Sequence, residues 1–194
     1  MKVSFSNYAL GAGVATSLVN TAPEVRRSTG EALRSPGDLA RFLDEHGLSP
    51  GPLKSAARPT GDDLRQVHAL RGEIRDIMDT HAEDHAVDAA NGVLARAGSR
   101  PVLLRNAEDG PWQWHVVTSQ QASLAEELAV LTGAGMLGVI HTLSHSRFRA
   151  CTSSTCEGMF IDTSRAGRRR YCTPDVCGNR LNVANHRARR RAGA

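Results

Sequence analysis

Cysteine is absent from the first 150 residues of the chain, and lysine from everything after Lys54. Aromatic residues make up only 4% of the 194 positions, with two Trp, two Tyr and four Phe. No window approaches the about 20 apolar residues that a membrane-spanning helix needs, so no membrane partner is expected. The mildly apolar run from Tyr8 to Val19 is diluted by Gly11, Gly13, Thr16 and Ser17 and preceded by the single base Lys2. It therefore reads as a mature segment and not as a signal peptide. Signatures of catalysis are missing as well. Gly11-x-Gly13 lacks the strand that a phosphate loop follows, no G-x-S-x-G elbow occurs, and Glu83 is misplaced for the H-E-x-x-H zinc-protease arrangement. There is no internal repeat. With 40% hydrophobic and 23% charged residues, the chain suits one medium domain, or one domain plus a small module.

What is present is unevenly distributed. Residues 147–194 hold eleven arginines and three acids, a net charge of +8, whereas residues 1–146 carry −4. All four cysteines, Cys151, Cys156, Cys172 and Cys177, lie in the basic part. An acidic body of 1–146 and a basic, cysteine-bearing module of 147–194 follow. A body of about 150 residues buries its own core without staples.

Along the body, Ser35-Pro36-Gly37-Asp38 opens a short helix with the apolar stripe Leu39, Phe42 and Leu43, stopped by Gly47. Residues 48–61 read as a linker loop. The clearest helix carries Leu64, Val67, Leu70, Ile74, Ile77 and Met78 at steps of three and four, with Asp62 and Asp63 suiting its N-terminal dipole. A second helical stretch runs near Ala86–Ala97. Pro101–Arg105 and Trp112–Val117 are strand-like, and Asn106–Gly110 between them predicts a hairpin. Helical patterning returns at Ser119–Leu131 and again near Gly135–Arg147.

The strongest motif is Cys151-x4-Cys156-x15-Cys172-x4-Cys177. Two short-spaced pairs with a hairpin-length insert converge on one tetrahedral site, and four thiolates suit one structural zinc ion. Disulfides or inert core thiols are the plainer alternatives, but confinement to one module favours metal in a reducing cytoplasm. Met159–Asp162 is strand-like, Ser164–Gly167 is a turn and Arg168–Tyr171 returns. Gly178–Arg191 can form a helix after the last ligand. Zinc with four thiolates has net charge −2, which leaves the module at about +6.

Basic residues frame this motif. Arg165, Arg168, Arg169 and Arg170 precede Cys172, and Asn179, Arg180, His186, Arg187, Arg190 and Arg191 follow Cys177. Arginine offers a planar fork to phosphate and to guanine edges, so double-stranded DNA is the expected partner. A solvated basic tail without a partner is the bland alternative. A single small finger touches few base pairs, so a homodimer is expected.

Cys177-Gly178-Asn179-Arg180, with Phe160–Arg165 and Arg168–Cys172 before it, resembles the CGNR zinc-finger family. Leu18-Val19-Asn20-Thr21 and Ser35–Leu43 resemble the ABATE domain that commonly precedes that finger. The family usually shows a Leu-Asp-Phe-like stretch before Val-Asn-Thr, where this chain has Thr16-Ser17-Leu18, so no role carries over for that acid. The resemblance implies a bacterial, stress-linked transcription regulator with a sensory body and a DNA-binding finger.

The expected fold is α+β and mostly α: a helical N-terminal body with one β-hairpin, plus a small C-terminal treble-clef-like zinc finger. Function is expected to be DNA-binding transcription regulation, without catalysis, with the body sensing a small-molecule effector or oligomerising. Asn20, Trp112 and Trp114 are the candidate effector-pocket residues. Core packing for the tryptophans and a structural hydrogen bond for Asn20 are equally open. The His81/His85 and His141/His145 pairs, each at i, i+4, are candidate second metal sites. RNA binding, gripping of an acidic partner protein and a histidine-based metalloenzyme are the rival functions.

Overall fold

A computed structural model describes residues 1–4, 7–27, 29–53, 58–97, 100–105 and 110–178. Its elements run β1 (Lys2–Ser4), α1 (Tyr8–Val19), α2 (Pro36–Glu45), α3 (Gly61–Asp79), α4 (Glu83–Ala95), β2 (Arg100–Arg105), β3 (Trp112–Val117), α5 (Leu124–Thr142), β4 (Phe148–Ala150) and β5 (Met159–Ile161).

Local chemistry sets the helix starts. Ser35 caps α2 by accepting the Asp38 N–H, with Pro36 in the first turn. Thr60 and Asp63 close a reciprocal capping box on α3. Both helices bury the stripes their spacing predicts, and Gly47 takes a left-handed φ of +62° after α2.

The two central helices have little periodicity because they are buried almost all round. α1 buries Gly11, Ala12, Val14, Ala15, Thr16, Leu18 and Val19. α5 is one continuous helix across residues where two separate stretches were expected. Gly133 and Gly135 do not break it; they let neighbours approach. A Cβ on Gly135 would lie 2.7 Å from the Gly11 Cα, and one on Gly133 would lie 3.2 Å from the Ala90 carbonyl oxygen. By length and composition α5 is apolar enough to cross a membrane, which corrects the expectation that no stretch reaches that size. Two thirds of its most apolar stretch is buried within the protein.

The expected hairpin forms, with Leu103 opposite Trp114 and Arg105 opposite Trp112. It is part of a larger unit, because β1 pairs antiparallel with the other edge of β3 to give the order β1-β3-β2. A second, separate two-stranded sheet joins β4 to β5. The architecture is thus mostly helical with two small sheets and a cluster of cysteines at its C-terminal end.

β5 stands between two cores. Met159 and Ile161 belong to the main apolar core, whereas Phe160 packs with Cys151, Cys172 and Cys177. The alternation of a strand sends successive side chains to opposite faces and so makes the strand a shared wall.

Candidate metal centre

Two of the four cysteines, Cys151 and Cys156, lie in the connection between β4 and β5, and the other two follow β5. Cys151 follows β4 and donates its N–H to the Gly158 carbonyl at 2.7 Å. Cys156 sits in the turn between β4 and β5, its N–H on the Ser153 carbonyl at 3.0 Å. Cys172 ends the arginine loop. Cys177 lies in a single π-type turn, Pro174–Gly178, its N–H on the Thr173 carbonyl at 2.8 Å. All four sulfurs lie within 4.8 Å of one another, with Cys156 to Cys172 at 3.5 Å and Cys172 to Cys177 at 3.7 Å. No disulfide forms among them. Ligands about 2.3 Å from a tetrahedral zinc stand about 3.8 Å apart, which these separations match.

The donor chemistry calls for a cation. Burial, and then the neighbouring Cys156 thiol, push the Cys172 thiol far above the ordinary cysteine range. Burial, and then the Cys156 thiol, push Cys177 up to about 11 against a hydrogen bond with Cys172 that acts downward. For Cys151, burial acts upward but is outweighed by the Cys172 and Ser153 backbone groups, which hold it below its usual value. Four thiols packed this closely cannot ionise together unless positive charge sits among them. The set fits one structural zinc ion, held by Cys151, Cys156, Cys172 and Cys177, with no position left over for water.

Gly158 is what lets the cluster close. A Cβ on Gly158 would lie 2.6 Å from the Cys172 sulfur, 3.1 Å from the Cys156 sulfur and 2.6 Å from the Asn20 amide oxygen. At Gly178 the nearest atom would be the Tyr171 ring at 3.5 Å, an ordinary contact.

Asp162, fully buried, organises the arginine loop. Its two oxygens accept the Ser164 N–H at 3.0 Å, the Ser164 hydroxyl at 2.6 Å, the Arg169 N–H at 3.0 Å and an Arg149 guanidinium N–H at 3.4 Å. Burial acts to raise its pKa, but these donors and the Arg149 charge bring it below the usual carboxylate value. The loop turns on Gly167, whose φ is +60° and whose Cα faces the Arg147 guanidinium. Residues 168–171 do not return as a strand: β5 pairs upstream with β4 instead. The Arg170 carbonyl is taken by the Thr152 N–H and hydroxyl, both at 3.0 Å.

The loop arginines therefore divide by role. Arg165, Arg168 and Arg170 are exposed. Arg169 is partly covered: it donates to the Tyr171 carbonyl at 2.9 Å and to the Cys172 carbonyl, and its guanidinium lies 4.8 Å over the Phe160 ring. Asn179, Arg180, His186, Arg187, Arg190 and Arg191, with the helix expected there, lie outside the described residues.

Asn20 sits against this centre. Its amide donates to the Met159 and Thr16 carbonyls at 2.7 Å each, and its oxygen accepts the Met159 N–H at 3.1 Å. The Thr16 hydroxyl accepts the Ile161 N–H at 3.0 Å. The end of α1 thus serves as the missing neighbour of β5. Trp112 and Trp114 lie elsewhere, each 58% exposed on the hairpin, with the Arg105 guanidinium 4.6 Å over Trp112. Among the described residues, the cleft that Asn20 lines includes neither of them.

The histidine pairs are not on shared helix turns. His81 precedes α4 while His85 is within it, and His145 lies beyond the end of α5. Among the described residues, the group of metal-capable side chains close enough to share an ion is the four cysteines.

Fold and site together define a zinc-finger protein with a helical N-terminal body. The ABATE family, described as "Putative stress-induced transcription regulator", matches residues 12–135, and the CGNR zinc finger matches residues 147–190. The chain belongs to the ABATE family and carries a CGNR zinc finger at its C-terminal end. No curated protein matches it in sequence.

Proposed function

We propose that the chain is a DNA-binding transcription regulator, without catalytic activity, that works in the cytoplasm, where thiols stay reduced. Residues 1–146 form the regulatory body and residues 147–194 the finger, in which the β4–β5 hairpin and the Cys177 turn supply two parts of a treble clef. The observation that carries this reading is the loop after β5. Its exposed Arg165, Arg168 and Arg170 are presented by a backbone that Asp162, Arg147 and Arg149 hold from beneath. Preorganised guanidinia next to a rigid metal knuckle suit phosphate oxygens. Together with the arginines of 179–194 they supply the footprint on a duplex.

The test is salt-dependent binding of the zinc-loaded chain to duplex DNA enriched from a random library. Replacing Arg168 and Arg170 with Ala should weaken binding and flatten the slope of log K against log salt by about 0.9 per lost phosphate contact. An unchanged slope would take these arginines out of the interface.

The homodimer has a candidate surface in the β2–β3 hairpin, where Leu103, Trp112 and Trp114 are exposed on one face. Tryptophan and arginine dominate the energetics of interfaces. The exposed parts of the two tryptophans come to roughly 300 Å², against about 800 Å² per partner in a stable interface. The dimer is thus weak alone and completed on DNA. Sedimentation of the protein with a palindromic duplex should give two chains per duplex, and the W112S/W114S variant one.

A further inference from the structure

A cleft of about 800 Å³ lies where α1, α2 and the finger meet. Ser17 of α1 and Asn20 just after it, Asp38, Arg41 and Glu45 of α2, and Arg169 and Thr173 of the finger line it. Its volume is within the range of small-molecule sites. Its charge is the informative feature. Glu31 is already neutralised: two guanidinium N–H groups of Arg71 reach its oxygens at 2.7 Å each, and the Leu33 N–H adds a bond at 2.8 Å. Asp38 is likewise taken by the Ser35 hydroxyl at 2.9 Å, the Arg34 N–H at 3.2 Å and the Arg41 guanidinium at 3.2 Å. Glu45 is the third acid on the lining, against Arg26, Arg34, Arg41 and Arg169. Among the described residues neither the Arg26 nor the Arg34 guanidinium donates a hydrogen bond, although the Arg34 charge acts on Asp38.

We propose that this cleft binds a small organic anion, of carboxylate or phosphate type, and that the occupant is sensed by the finger. Arg26 and Arg34 supply the charge at the mouth, and the hydroxyls of Ser17 and Thr173 the neutral contacts. Arg169 is the coupling residue. It faces the cleft while its other N–H groups hold the carbonyls of Tyr171 and Cys172. An anion that draws on Arg169 takes it from the loop that carries the third zinc ligand. Asn20 gives a second route, since it lines the cleft and brackets Met159 of β5. The consequence for DNA rests on the regulator reading above; binding of the anion does not.

The test therefore leaves DNA out. The zinc-loaded full chain is titrated with succinate and, separately, with inorganic phosphate, following backbone amide shifts at low salt. Expected is saturable, millimolar binding of one or both probes, with shifts at Thr21, Leu33, Cys172 and Thr173. Succinate alone assigns a carboxylate ligand, and phosphate alone a phosphorylated one. R26A/R34A should bind about tenfold more weakly or worse, the loss expected for a charge-assisted hydrogen bond. R26K/R34K, which keeps the charge, should fall between. R168A/R170A should bind like the parent. No saturable binding of either probe overturns the proposal. So does binding lost in R168A/R170A and kept in R26A/R34A, because the anion would then sit on the outer face of the finger.

Discussion

At the scale of single residues, Asp162 does more than the arginines it holds. A buried carboxylate with four donors on it is replaced poorly, because an amide keeps only one acceptor oxygen and turns an NH2 group toward the donors that the other oxygen held. Asp162→Asn should destabilise the chain by about 3 kcal/mol at neutral pH, read as a lower urea midpoint. The pH dependence has a definite sign. The folded carboxyl titrates below its unfolded value of about 3.9. Its contribution is therefore fully present above that unfolded value and is lost as pH falls through the folded one. The gap in midpoint between parent and variant should be constant from neutrality down to about pH 5 and close below about pH 4. A gap that widens on acidification would contradict the assignment. Of this site, the ligands and the arginines were legible in the sequence, since spacing and charge announce them. Asp162 and Gly158 were not. One is an ordinary acid after an apolar run and the other one glycine among eighteen. Their importance arises only where the chain folds back: Asp162 meets the Arg169 N–H seven residues on, and Gly158 meets Asn20 from the far end of the chain.

Elements divide in the same way. α2 and α3 were readable because each has a polar face and a cap, so period and punctuation agree. α5 is covered almost all round, and the exposed positions of α1, Ala9, Leu10 and Gly13, are small or apolar, so neither helix has a polar face to read, and the glycines of α5 looked like a break. Locally glycine does weaken a helix, by about 1 kcal/mol relative to alanine. Here the crossing of α1 over α5 decides, because Gly11 and Gly135 bring the two backbones together. Gly135→Ala improves local helix propensity yet should destabilise the protein, by about 2 kcal/mol, because the added methyl must displace the Gly11 backbone. Urea unfolding with unchanged far-ultraviolet dichroism of the native state checks this. A variant as stable as the parent would mean that the crossing is looser than drawn. β1 and β4 escaped notice because a three-residue strand has too few positions to display alternation.

For the whole molecule, charge and cysteine content mark a division near residue 147, and the family matches fall on either side of it. Packing crosses that line. Met159-Phe160-Ile161 is apolar throughout, and a strand covered on both faces has that pattern. The sequence could not say that its two faces serve different cores. Because Met159 and Ile161 complete the core of the body, and because Thr16 and Asn20 bond the backbone of β5, the metal is coupled to α1. Removing zinc leaves four crowded thiols with no counter-charge, and binding energy of the metal is folding energy for the loop that supplies them. Release of β5 then costs α1 three hydrogen bonds from strand backbone and the cover of two apolar side chains. Chelation should therefore be felt well outside the finger. Hydrogen exchange should speed up over Thr16–Asn20 while α4, which packs on α5 and α3, keeps its protection. An independent finger would melt alone and leave exchange in α1 as it was. The two outcomes separate a bead-like tail from a zinc centre that forms one wall of the helical body.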